Sequence, residues 1–233
     1  MRIGLFGYGK MGKMIEGLAI KRGHEITAKI DLLEQEIDFS AFDIAIDFST
    51  PGSAFKNITS CFEHGIPVIS GTTGWLENYD KAVSLCNQNN AGFIYASNFS
   101  LGVNIFFELN EKLAKMMAKL DQYKISMEEI HHTQKLDAPS GTAISLAEGI
   151  LANTPYEDWE LDGNTENKIP IHSKREGSVP GTHSIDYASS VDSIEIKHTA
   201  HNREGFALGA VLAAEWLVGK KGVFTMKDVL NLS

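Results

Sequence analysis

A doubly wound parallel α/β sheet with a smaller α+β domain attached is the fold that the sequence predicts. Three observations predict it. A glycine-rich turn joins an apolar strand to a helix, strands and helices then alternate as far as Leu101, and beyond Leu101 the alternation breaks. The first domain is expected to be discontinuous, residues 1–101 with 206–233, and the second to span 102–205.

The first element is the apolar run RIGLFG at 2–7, followed by glycines at 7, 9 and 12. Apolar residues at Met14, Ile15, Leu18 and Ala19 repeat with a helical period that ends at Gly23. HEITAKID then reads as a second strand ending in Asp31, 19 positions after Gly12. Strand, Gly7-x-Gly9-x-x-Gly12, helix, strand and acid together form a dinucleotide-binding fingerprint. Gly7 permits the tight turn, Gly9 lets backbone approach a pyrophosphate, and Gly12 lets helix and strand pack closely. The GYGKMG turn (Gly7, Tyr8, Gly9, Lys10, Met11, Gly12) and Asp31 are therefore candidate cofactor contacts, the carboxylate for a ribose hydroxyl.

The alternation continues with a strand at 42–49, a helix at 51–65, a strand at 66–74, a helix at 78–90 and a strand at 91–100. Ligands of such sheets bind beyond the carboxyl ends of the strands. The segments expected there include DFSTP, GTTG (with Gly71, Thr72 and Thr73) and ASNF (Ala96, Ser97, Asn98 and Phe99). They are short and mostly polar, and they offer backbone amides to a cofactor. GTTG is expected at its nicotinamide half.

The second domain opens on a long amphipathic helix over 102–120, with Ile105, Phe106, Leu109, Leu113, Met116, Met117 and Leu120 on its apolar positions. YKISMEEIHH alternates as a strand, and SLAEGILANT continues a helix opened by a Gly-Thr turn. DGNTENKIP reads as a polar loop, and HSIDYASS and SIEIKHTA as an antiparallel pair. The stretch over 206–222 reads as a helix returning to cover the nucleotide sheet.

One stretch, EEIHHTQKLDAPSGTA at 128–143, concentrates titratable groups. Neighbours on a strand point to opposite faces, so His131 and His132 reach one atom only where the strand ends and the chain turns. Pro139 and Gly141 supply the turn, and Ser140 or Thr142 can cap the helix that follows. That places His, His and Lys beside a helix N-terminus suited to a carboxylate. Two other readings stand from this stretch alone: a surface lysine with incidental histidines, and a zinc site. Diverging neighbours, distant cysteines and the absence of HExxH argue against the metal.

The net charge of −9 excludes a nucleic-acid partner, which needs clustered Lys and Arg. No apolar run approaches the ~18 residues of a membrane span, and no signal peptide is legible. Cys61 and Cys86 lack CxxC spacing and read as reduced thiols, so a cytoplasmic protein is expected.

The same string, HHTQKLDAPSGT, resembles the signature of the dihydrodipicolinate (4-hydroxy-tetrahydrodipicolinate) reductases of lysine and diaminopimelate biosynthesis. GYGKMG, DFSTP, GTTG, ASNFSLGVN, HSKREGSVPGTHSIDYAS and HTAHNREGFALGAVLAAEWL extend the resemblance over nearly the whole chain. The segment between Asp31 and Phe42 is shorter than in many relatives. The resemblance implies an NAD(P)H-dependent reductase of a cyclic dicarboxylate, with His131 as acid/base group and Lys135 as proton donor or charge stabiliser. It implies that His132, Ser140, Gly141 and Thr142 bind a substrate carboxylate, and that residues 102–205 bind substrate and assemble a homotetramer. Arg175 and Arg203 are either further anion contacts or interdomain and subunit ion pairs. Another dehydrogenase of this architecture and a non-catalytic NAD sensor are the rival readings. NADH is the expected preference over NADPH, because Leu32, Leu33 and Glu34 follow Asp31 with no arginine for a 2′-phosphate, although Lys10 could reach one.

Overall fold

Strand β1 (Arg2–Phe6) leads through the glycine turn into helix α1 (Lys10–Lys21) and strand β2 (Glu25–Ile30). The structure is a computed structural model that describes residues 1–31 and 36–232. The chain divides into two compact units, Met1–Leu101 with Glu204–Ser233, and Gly102–Arg203.

The first unit continues through β3 (Ile44–Asp47), α2 (Pro51–Glu63), β4 (Val68–Ser70), α3 (Tyr79–Gln88) and β5 (Gly92–Tyr95). After the second unit it closes with α6 (Glu204–Leu217), β11 (Gly222–Phe224) and α7 (Met226–Leu230). Its parallel sheet has the order β11-β5-β4-β3-β1-β2 among the described residues. The strand order reverses between β1 and β3, so the crevice for a ligand opens at their carboxyl ends. Strands β3 and β4 are buried at every position because helices cover both faces, which is why they read as unbroken apolar runs. One core, around Ile3, Leu5, Ile46 and Val211, lies under α1 and α6; another, around Phe62, Trp75 and Phe93, lies under α2 and α3.

The second unit contains α4 (which begins at Leu101 in the first unit and runs to Met117), β6 (Lys124–His131), α5 (Gly141–Leu151), β7 (Asp158–Leu161), β8 (Lys168–Arg175), β9 (Gly181–Ala188) and β10 (Ser193–Ala200). Its sheet is mixed, in the order β10-β9-β6-β8-β7. β6 pairs antiparallel with β9 and parallel with β8. Along β6 burial alternates, so Ile125, Met127, Glu129 and His131 all face inward. Helices α4 and α5 cover that face through Phe106, Leu113, Leu146 and Ile150.

The structure differs from the sequence reading at three places. The loop expected over 162–170 gives way at Lys168 to the eight-residue strand β8, and β7 precedes it. The helix expected over 206–222 stops at Leu217, and Gly219 follows at φ +80, the left-handed conformation that ends helices. The chain then adds β11 to the sheet edge and α7 after it.

Close backbone crossings fix where side chains are forbidden. A Cβ on Gly209 of α6 would lie 1.7 Å from the carbonyl oxygen of Phe99. Gly17, exposed in the middle of α1, has open space at the same position. Gly209→Ala should therefore destabilise the first unit by about 3 kcal/mol or more, whereas Gly17→Ala should stabilise it by roughly 0.5–1 kcal/mol through helix propensity. Urea unfolding of both variants measures the contrast.

Candidate functional site

In the first unit the three glycines of the turn meet three different constraints. Gly7 has φ +86, and a Cβ there would come within 2.2 Å of the Phe48 carbonyl oxygen. A Cβ on Gly12 would come within 2.3 Å of the Gly7 oxygen, so only glycine lets α1 begin this close to β1. Gly9 faces open space, which leaves its backbone accessible. Gly9 gives α1 no side-chain cap, and the first turn has no acid but carries Lys10 and Lys13. Cations at a helix N-terminus are unfavourable unless an anion joins them, so the residues present fit a pyrophosphate. Met11 packs against the adjoining core.

Asp31 accepts a hydrogen bond from the Tyr8 N–H at 3.1 Å, which ties the end of β2 to the turn. The Tyr8 hydroxyl donates to Glu16, and Lys29 lies over the Tyr8 ring and pairs with Glu16 at 2.7 Å. Lys29 is thus engaged in holding the turn. Leu32, Leu33 and Glu34 lie outside the described residues.

A carboxylate not foreseen from sequence organises the neighbouring loops. Asp47, at the end of β3, is fully buried and accepts from the hydroxyls of Ser49 (2.6 Å), Ser70 (2.8 Å) and Thr72 (2.8 Å). Burial pushes its carboxyl above the usual range, and the hydroxyl donors work against that shift. Ser49 N–H donates to Thr72 Oγ1 and Gly71 N–H to the Asp47 carbonyl, so DFSTP and GTTG form one rigid lip, with Thr73 exposed. In ASNF, Ala96 N–H donates to Ser70, Ser97 is exposed, Asn98 accepts from Ser100 N–H before α4, and Phe99 packs in the core. Only backbone is left at Phe99 to meet a ligand.

In the second unit β6 delivers Glu129 and His131 to the buried face, while His132 is half-buried. Glu129 is 0% exposed. It accepts from Ser140 N–H at 3.0 Å, the Ser173 hydroxyl at 2.8 Å and the Arg175 guanidinium at 3.2 Å. His131 Nδ1 lies 3.4 Å and His183 Nε2 3.7 Å from the same carboxylate. Burial pulls the Glu129 carboxyl up, but hydrogen bonds from Ser140 and Ser173 and the nearby His131 together hold it below its ordinary value. Desolvation lowers His131, opposed by Glu129 and reinforced by Lys135 and Arg175. Desolvation takes His183 down to about 4, so that ring is neutral near pH 7.

The turn after β6 brings the remaining groups together. Lys135 pairs with Asp137 at 2.7 Å. Arg175 donates to the carbonyls of Lys135 and Asp137. Arg175 therefore braces the turn from within its own unit, which answers the question its sequence position left open; Arg203 is exposed. The Ala138–Pro139 bond is cis, and Ser140 caps α5 by accepting from Ala143 N–H. The Ser140 hydroxyl also meets His183 Nε2 at 3.1 Å. With its N–H on Glu129, Ser140 is engaged on every side, whereas Gly141 faces open space and Thr142 is half-buried at the helix start.

Glu129, His131 and His183 offer ligand atoms within 4.8 Å of one another, a spacing that could take a cation. The sequence reading set metal aside on the divergence of His131 and His132 and did not see His183 arriving from β9. Yet Glu129 already serves Ser140, Ser173 and Arg175, and a guanidinium on the same carboxylate repels a cation. Glu129, Asp47 and His183 are the functional candidates that sequence reasoning missed. For Glu129 a signal existed, since strand alternation puts it on the face of Ile125 and Met127.

The family models "Dihydrodipicolinate reductase, N-terminus" and "Dihydrodipicolinate reductase, C-terminus" match residues 32–99 and 102–230. A 4-hydroxy-tetrahydrodipicolinate reductase of Christiangramia forsetii is 59% identical, over 99% of this chain and 98% of that one. One of Thermosipho africanus is 36% identical over the same shares. A dipicolinate-bound dihydrodipicolinate reductase from Paenisporosarcina sp. TG-14 shares the fold, with a TM-score of 0.77 at 24% identity over 97% of each chain.

Proposed function

The chain belongs to the dihydrodipicolinate reductase family, and from that premise we propose how its two units divide the chemistry. The reaction is the NAD(P)H-dependent reduction of 4-hydroxy-tetrahydrodipicolinate to tetrahydrodipicolinate, a step of lysine and diaminopimelate biosynthesis. Its net change adds one hydride and one proton and releases the hydroxyl as water.

The first unit binds the dinucleotide. Backbone at Gly9 and the start of α1, with Lys10, takes the pyrophosphate, and the lip built on Asp47 holds GTTG in place for the cofactor's other half. A reduced nicotinamide held there supplies the hydride. The second unit binds the cyclic dicarboxylate and supplies the proton. The observation that carries this division is the gathering, within one unit, of a buried imidazole, a lysine and an open helix start.

In this reading His131, charged at Nε2, protonates the anionic centre that hydride addition creates, a role worth roughly 10²–10⁴-fold. Lys135 exchanges its pairing with Asp137 for the developing negative charge. Amide N–H groups at Gly141 and Thr142 donate to the carboxylate, His132 is close to them in the chain, and Ser140 fixes the helix start. We extend the proposal to a homotetramer built on the second unit's sheet, whose edge strand β10 leaves Ile194 exposed. A cytoplasmic setting fits two buried, unpaired cysteines, Cys61 and Cys86. Among the described residues no helix is long and apolar enough to cross a membrane.

Cofactor choice follows from Asp31. Its carboxylate faces the glycine turn, where it accepts from a free ribose hydroxyl and repels a 2′-phosphate. NADH is preferred, with NADPH accepted through Lys10.

The test is a coupled assay with freshly made 4-hydroxy-tetrahydrodipicolinate and each cofactor. His131→Gln should lower kcat at least 100-fold while the Kd for NADH stays within about twofold. Turnover within about threefold of the original would remove His131 from the mechanism. Wild-type kcat/KM should favour NADH, and Asp31→Ser should move the ratio toward NADPH. A wild-type preference for NADPH, or a ratio unmoved by the substitution, contradicts the assignment.

A further inference from the structure

Glu129 and His131 sit two residues apart on β6, so strand alternation sends both side chains to the same buried face. Around the Glu129 carboxylate stand donors from the turn (Ser140) and β8 (Ser173, Arg175), and the imidazoles of His183 on β9 and His131 on β6 itself lie within 4 Å. Arg175 alone would neutralise the acid, so charge balance does not explain why two imidazoles also converge on it. His131 Nδ1 is buried and, among the described residues, has no hydrogen bond of ordinary length; Glu129 Oε2 lies 3.4 Å away. Nε2 faces Gly181, where even a Cβ would stand 3.1 Å from it. One nitrogen is thus turned to a fixed buried carboxylate and the other to Gly181, where any side chain would crowd it.

We propose that Glu129 is a positioning residue for the reduction, holding the hydrogen on His131 Nδ1 so that the proton delivered to substrate is always the one on Nε2. The inference rests on the reading of His131 as the proton donor. In the imidazolium both nitrogens carry hydrogen. The N–H bond at Nε2 breaks as the anionic centre of the substrate takes the proton with its own electron pair, and the N–H electrons remain on the ring. The neutral ring keeps its other hydrogen on Nδ1, toward Glu129, and one solvent proton at Nε2 restores the cation. No other co-reactant is required. Catalytic hydrogen bonds are often long before substrate binds and shorten in the complex, as the 3.4 Å separation requires here. Through Ser140 N–H the same carboxylate also fixes the start of α5, so acid and carboxylate site share one anchor.

Charged and titratable groups face His131 from every packed element: Glu129 on β6, Lys135 and Asp137 in the turn, Arg175 on β8 and His183 on β9. Burial, Lys135 and Arg175 disfavour the imidazolium, while Glu129 and Asp137 favour it. Removing the charge of Glu129 therefore makes the imidazolium scarcer, and the rate limb that falls as pH rises must move to lower pH.

The experiment is kcat against pH for the wild type, Glu129→Gln and His131→Gln, with NADH binding measured on each. Glu129→Gln should lose at least tenfold at pH 7.5, the loss shrinking below about threefold near pH 5, with NADH affinity unchanged. A loss equal at every pH, or a limb that stays in place, overturns the proposal. If His131→Gln keeps near-normal turnover, the assignment of His131 itself fails. If His131→Gln is inactive and the Glu129→Gln limb does not move, only the present inference fails. Should Glu129→Gln not fold, Glu129→Asp keeps the charge against Arg175 but withdraws it from Nδ1 by one methylene. It should lose at least tenfold in kcat at pH 7.5, and normal kcat in that variant overturns the proposal.

Discussion

A carboxylate removed from water is the constraint on which the second unit depends. Burying an ionised acid costs several kcal/mol unless hydrogen bonds and an opposite charge replace its hydration. Glu129 recovers that cost from the Ser140 amide, the Ser173 hydroxyl and the Arg175 guanidinium. Two donors come from β8 and one from the turn, so satisfying one acid locks β6, β8 and the turn before α5 into a single arrangement. Removing any one of them leaves buried polar atoms unmatched, which is what makes the site rigid. Arg175 transmits the constraint further, because its remaining donors hold the carbonyls on either side of Leu136. Lys135 is thereby set down next to the histidines.

The first unit solves a parallel problem with Asp47. There the donors are neutral hydroxyls from DFSTP, the end of β4 and GTTG, and the result is a lip of two loops joined beneath by one acid. Binding loops need a rigid foundation and an accessible surface at once. In both units a buried carboxylate supplies the foundation, and a glycine (Gly9 in one, Gly141 in the other) leaves the surface clear. Glu129 is paired with a cation and acids and bases around it titrate; Asp47 has only hydroxyl and amide donors.

Much of this was legible from sequence because it is local. The glycine turn needs φ and close-approach properties that only Gly7 and Gly12 can meet, and the helical and strand periods around them are strong. The buried strands β1, β3, β4 and β5 declare themselves as apolar runs. β7, β8 and β11 do not, because their stability lies in neighbours. β7 and β11 are short edge strands, and β8 presents only Ile169 and Ile171 to the core between lysines, a proline and a histidine. His183 and Arg175 reach the site across strand pairings that no single-chain spacing reveals. Glu129 is not singled out by the alternation of its strand alone. Its parity with Ile125 and Met127 was the available signal, and a polar residue on a core-facing parity implies a partner waiting inside.

The claim that one buried carboxylate orients the proton donor is tested most directly by nitrogen-15 NMR of histidine-labelled protein, with the His131 resonances assigned by comparison with His131→Gln. The account predicts that above its titration the neutral His131 ring carries hydrogen on Nδ1 and none on Nε2. A neutral ring protonated on Nε2, with a bare Nδ1 toward Glu129, would contradict it.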